Sequence, residues 1–135
     1  MKIWNGYSSE HSSGIVLVGH FANREDASMF LEEFKRVKKL AEDNYENFVD
    51  ENDLYPNDIL QALYRGKYRY ASLMGPKDIA ELCGDLQVFV KDNKFVLKSD
   101  EYDWGGTIKM LLMAEAKIEI LTEHAQKEEC AAYVE

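Results

Sequence analysis

The sequence predicts an α+β fold, the ferredoxin-like split βαβ sandwich, with a helical insertion between the first helix and the central hairpin. Three observations predict it. A β-branched run, Ile15 to Phe21, precedes a long stretch of three- and four-residue apolar periodicity. Two β-rich runs are then separated only by Asp92-Asn93, and a further helical face is followed by the alternating run Lys117 to Thr122. In order these read strand, helix, hairpin, helix, strand.

Met1 to Gly6 is a candidate short strand, and the polar residues Tyr7 to Gly14 form a loop because they offer no continuous face to bury. Ile15-Val16-Leu17-Val18-Gly19-His20-Phe21 is a buried strand. Asn23 is placed as an N-cap, with Glu25 and Asp26 in a first turn whose dipole favours carboxylates. From there Ala27, Phe30, Leu31, Phe34, Val37, Ala41, Tyr45 and Phe48 make one apolar stripe reaching about Val49. Glu32, Glu33, Lys35, Lys38 and Lys39 fill the solvated side.

The insertion runs from about 50 to 84, and it carries a short helix over Asp58 to Tyr64 ending near Gly66. A second short helix over Pro76 to Cys83 opens on proline and stops at Gly84. Leu86 to Lys91 and Lys94 to Lys98 pair as a tight hairpin. Trp104, Ile108, Leu111 and Leu112 share one helical face, behind a capped start with Trp104 packed inward. The run Met110 to Met113 reads as core. Lys117 to Thr122 closes the sheet, and a tail covers about 125 to 135.

At 135 residues the chain is expected to be a single domain, 1–135, burying roughly two thirds of its unfolded surface. A net charge of -9 disfavours direct attraction to nucleic acid or an anionic membrane, because the mean field repels polyanions. Two cysteines far apart in sequence, Cys83 and Cys130, do not support a disulfide framework or a zinc site of cysteine pairs, and the expected compartment is the cytoplasm. The early apolar run Ile15 to Val18 is too short for a secretory core or a membrane span.

Charge is segregated along the chain. Seven acidic residues and no basic one lie between Glu42 and Asp58, and the chain then reads Tyr64-Arg65-Gly66-Lys67-Tyr68-Arg69-Tyr70. The acidic run lacks the alternating oxygen ligands and central glycine of a calcium loop. Carboxylates interleaved with Tyr45, Phe48, Leu54 and Tyr55 instead suit a contact surface for a basic groove. Arginine forks and tyrosine rings in the second stretch suit an anionic group, with pairing inside the insertion as the simpler use of the same charges.

Glu10, His11 and His20 are the candidate catalytic residues, since a histidine beside a carboxylate serves as a general base. The spacing of His11, His20 and His124 matches no metal signature, and no metal site is expected. Asp100 to Thr107 matches no phosphate loop, and its carboxylates oppose anion binding at the helix start.

The opening Met1-Lys2-Ile3-Trp4-Asn5-Gly6-Tyr7-Ser8-Ser9-Glu10-His11-Ser12, with the strand that follows, resembles the N-terminus of a family of small bacterial and phage proteins of unknown function. The resemblance covers roughly the first 20 residues. It implies a microbial cytoplasmic protein and carries over no activity and no catalytic residue.

The leading expectation is a small acidic interaction protein, a regulator or inhibitor rather than an enzyme, needing no cofactor. It presents carboxylates to a basic protein partner through Asp50, Glu51, Asp53 and Tyr55. The alternative is a small-molecule or nucleotide-binding domain, a His-dependent enzyme in one version, using Glu10, His11 and His20 with Arg65, Lys67, Tyr68 and Arg69 for an anionic group. A third possibility is a homodimer formed through the open face of the sheet.

Overall fold

Ile15–His20 forms β2, the central strand of a five-stranded mixed sheet. The computed structural model describes residues 2–3, 14–43, 65–71, 74–83, 86–99 and 104–122. Along these the elements are β1 (Lys2–Ile3), β2, α1 (Arg24–Asp43), α2 (Pro76–Ala80), β3 (Gln87–Lys91), β4 (Lys94–Ser99), α3 (Gly105–Met113) and β5 (Lys117–Thr122). The fold is α+β.

The strands lie in the order β1-β5-β2-β4-β3, with every neighbouring pair antiparallel except β1 and β5, which run parallel. The four strands expected for the sandwich are joined at the β5 edge by a two-residue strand, which lies within the Met1 to Gly6 segment read as a candidate strand. Leu17 stands opposite both Leu97 and Ile120, and Val18 opposite Val96 and Glu119. Opposed residues share a face, so these two rows point to opposite sides.

The chain divides into two compact units. The first comprises Met1–Leu31, Asp85–Tyr102 and Glu115–Glu135, and so holds the sheet and the start of α1. On one face of its sheet Phe95 meets Phe30 edge-on, with ring centroids 4.8 Å apart, and Phe30 in turn meets Phe21 at 5.4 Å. The other face is also apolar at its centre: Val16, Val18, Phe89, Val96 and Leu121 form one buried cluster. The hairpin turn is tied to the end of β2, where the Phe21 N–H donates to the Asn93 carbonyl at 2.9 Å and the Asn93 amide donates back to the Phe21 carbonyl at 2.6 Å.

The second unit comprises Glu32–Gly84 and Asp103–Ala114. Phe34, Val37 and Ala41 continue the stripe of α1, as Ala27 and Phe30 do in the first unit, and all five are fully buried. Leu31 is half-buried at the margin of the stripe. The helix starts where the sequence places it, with the Asp26 N–H donating to Asn23 Oδ1 at 2.8 Å. Replacing Asn23 with alanine orphans that donor, and the expected cost is about 1 kcal/mol in urea unfolding; a change near zero would show that water caps the helix equally well.

Two helices differ from their sequence reading. α2 ends at Ala80 rather than Cys83, because the Leu82 and Cys83 N–H groups bond three residues back, to Ile79 and Ala80, and tighten the chain into a turn. α3 buries Gly106, Thr107, Met110 and Leu111, whereas Leu112 is 60% exposed, Met113 is exposed, and Trp104 and Ile108 are half-buried. Residues 106 and 110, and 107 and 111, are stacked at i and i+4. A glycine in that stripe lets another backbone approach, which an apolar count does not register. No side chain of Trp104 caps the helix; the Gly106 N–H instead donates to Glu81 Oε2 at 2.9 Å, a carboxylate from the turn after α2.

The short helix expected over Asp58 to Tyr64, the Tyr7 to Gly14 loop apart from Gly14, and the tail lie outside the described residues.

Candidate functional site

Glu33 and Arg36 lie three residues apart on α1 and so project from neighbouring positions on its surface. Both reach the returning segment Arg65 to Ala71. Glu33 is only 7% exposed, and its carboxylate accepts three backbone N–H groups, from Arg69 and Tyr70 at 2.5 Å each and from Ala71 at 3.1 Å. Arg36 Nη2 donates to the Gly66 carbonyl at 2.7 Å, and its guanidinium lies 4.6 Å from the centre of the Tyr68 ring. The solvated position that the stripe assigned to Glu33 is therefore corrected. It sits three residues after Phe30 and four before Val37, at the margin of the stripe, and folding closes the segment over it.

Burial alternates along this segment. Arg65, Lys67 and Arg69 are exposed, Gly66, Tyr68 and Tyr70 are half-buried, and Ala71 is buried. The backbone of the segment and the Tyr68 ring engage α1, while Arg65, Lys67 and Arg69 stay exposed. Arg69 lies 5.6 Å from the centre of the Tyr70 ring. Among the described residues no carboxylate pairs with the side chain of Arg65 or Lys67, and the carboxylates of the insertion expected to pair with them lie outside the described residues. Lys67 also adopts a left-handed conformation, φ 50, which favours glycine over lysine.

At the far end of α1 Lys38 pairs with Glu42 one turn on, and Glu42 and Asp43 are exposed where the acidic run begins. Burial, reinforced by the Glu42 carboxylate and opposed by the Lys38 ammonium, pushes the Cys83 thiol up, which favours its protonated form.

Of the other candidates, His20 lies at the end of β2, and its Nε2 is 2.6 Å from Glu119 Oε1 on β5, both side chains about a quarter exposed. Glu119 is a partner the sequence did not indicate, since the two residues meet only through the pairing of β2 with β5. Thr122, at the C-terminal end of β5, stands opposite Ile15, the end of β2 remote from His20. Glu10, His11, His124, Asp50, Glu51, Asp53 and Tyr55 lie outside the described residues. Among the described residues no group of three or more His, Cys, Asp or Glu side chains is placed to hold a metal ion, and no helix is long and apolar enough to cross a membrane.

Fold and site together define an α+β protein in which α1 fixes a loop of outward-facing cations. The chain belongs to a family of unknown function, DUF6375, whose family model matches residues 1–133. Neither a curated protein nor a solved structure matches it.

Proposed function

We propose that this protein is a small acidic interaction protein, a regulator or inhibitor, whose inserted segment docks a macromolecular partner with a basic surface. The observation that supports a contact role for the inserted segment, whichever of its charges meets the partner, is Glu33. A carboxylate is buried at the cost of its own hydration in order to fix the backbone of a surface segment whose charged side chains remain in water. An outlay of that kind serves preorganisation of a contact surface, which lowers the ordering cost of binding. Exposed Glu42 and Asp43 lead into the carboxylate-rich run, and a net charge of -9 favours encounter with a cationic partner. We read the frame as ferredoxin-like, supported by the order β5-β2-β4-β3 and by the alternation of helices with strands, with the insertion placed between α1 and the hairpin.

The test is capture of the partner by the purified full chain carrying Asp50→Lys, Glu51→Lys and Asp53→Lys. Capture is expected to fall by an order of magnitude or more while the melting temperature barely moves. Undiminished capture rejects the carboxylate surface. If reversal of Arg65, Lys67 and Arg69 abolishes capture instead, the contact belongs to the cationic loop.

A further inference from the structure

Across one end of the sheet, four adjacent strands each contribute a basic residue to a single register row. Lys117 of β5 stands opposite His20 of β2, His20 opposite Lys94 of β4, and Lys94 opposite Lys91 of β3. Directly opposed residues share a face, so all four project from the side that bears the Val16, Val18, Phe89, Val96 and Leu121 cluster. Strands about 4.8 Å apart make the row roughly 14 Å long. Lys91 and Lys117 are exposed, and His20 and Lys94 are half-buried.

The next row inward holds Val18, Val96, Phe89 and one carboxylate, Glu119, which is bonded to His20. One row further Lys98 lies over the Phe89 ring at 6.0 Å. Among the strand residues of β2 to β5, this face therefore carries four lysines and a single glutamate, in a chain whose net charge is -9. The flanking turns add Asp92 and Glu115, both exposed. Like charges placed directly opposite across strands are destabilising. A multiply charged anion lying along the row offsets that repulsion.

We propose that the Lys117, His20, Lys94, Lys91 row binds a phosphate-bearing small molecule. One carboxylate offsets one ammonium, whereas a chain of linked phosphates places several negative charges within the length of the row and offers each lysine an oxygen acceptor. Glu119 holds the His20 ring in place within the row. This site lies on the sheet and is independent of the inserted segment and its carboxylates, so either proposal can fail without the other.

The experiment is thermal unfolding and calorimetric titration of the full chain with inorganic triphosphate and, separately, with ATP. Wild type is compared with Lys94→Gln/Lys117→Gln. Both probes are expected to raise the melting temperature of wild type. Without ligand the variant is expected to melt higher than wild type, because a like-charge row has been relieved. It is also expected to bind at least roughly tenfold more weakly. Gain of stability with loss of binding is a combination that a purely structural row does not produce. Equal affinity for the two probes identifies the phosphate chain itself as the ligand, and tighter ATP binding identifies a nucleotide; either supports the site. No response of wild type to either probe, or an undiminished response of the variant, overturns it. The single substitutions Lys94→Gln and Lys117→Gln give the same reading should the double variant fold poorly.

Discussion

Gly106→Ala is expected to destabilise the protein by roughly 2–3 kcal/mol, although alanine is intrinsically the better helix residue by about 1 kcal/mol. A Cβ at this position would lie 2.2 Å from the carbonyl oxygen of Asp78 and 3.3 Å from Met74 Cε. The oxygen belongs to backbone and cannot rotate away, so α2 and α3 must separate. Separation also pulls on the contacts that join them, the Gly106 N–H to Glu81 and the Lys109 ammonium to Asp78 Oδ2 at 2.6 Å. Gly105→Ala is the control. Its Cβ would come within 3.0 Å of Glu81 Oε2, the end of a flexible side chain, and the expected change is within about 1 kcal/mol of zero. Urea unfolding of the two variants should show a lowered midpoint for the first alone; equal midpoints would refute the close approach of α2 to Gly106.

Glu33→Ala is expected to cost roughly 2–4 kcal/mol, because three N–H groups lose a charged acceptor at once. Glu33→Gln keeps one carbonyl oxygen and places an NH2 where the second oxygen accepted, so its cost should be intermediate. The local signature distinguishes this from general destabilisation. Amide exchange at Arg69, Tyr70 and Ala71 should accelerate in both variants by more than that of β2 or β4, whose amides belong to the sheet ladder. Uniform acceleration across the chain would mean that Glu33 contributes only to global stability and does not clamp the segment.

Much of the frame was legible because it follows from short-range chemistry. The strand at Ile15, the cap at Asn23, the stripe through Ala41 and the hairpin around Asp92-Asn93 each arise from neighbours within a few residues, and the structure has all four. The errors occur where an element's surroundings come from far along the chain. Leu112 was expected inside from its apolar character, yet the stripe of α3 that turns inward is the one containing Gly106, where the backbone of α2 comes close. Glu33 was expected in water, since nothing near it in sequence signals that residues 69 to 71 will return to cover it.

The candidate site divides in the same way. Its cations, Arg65, Lys67 and Arg69, stand out in the sequence as a cluster, whereas Glu33 and Arg36, which hold that cluster in place, do not. The sequence by itself determined the strand at Ile15, the start of α1, the hairpin, the α+β class and the segregation of acidic from basic residues, because periodicity, capping and composition act locally. Tertiary structure alone decided which charge is buried and which glycine is indispensable. It also aligned Lys117, His20, Lys94 and Lys91, which come from four strands, because only strand pairing brings residues so far apart in the chain into one row.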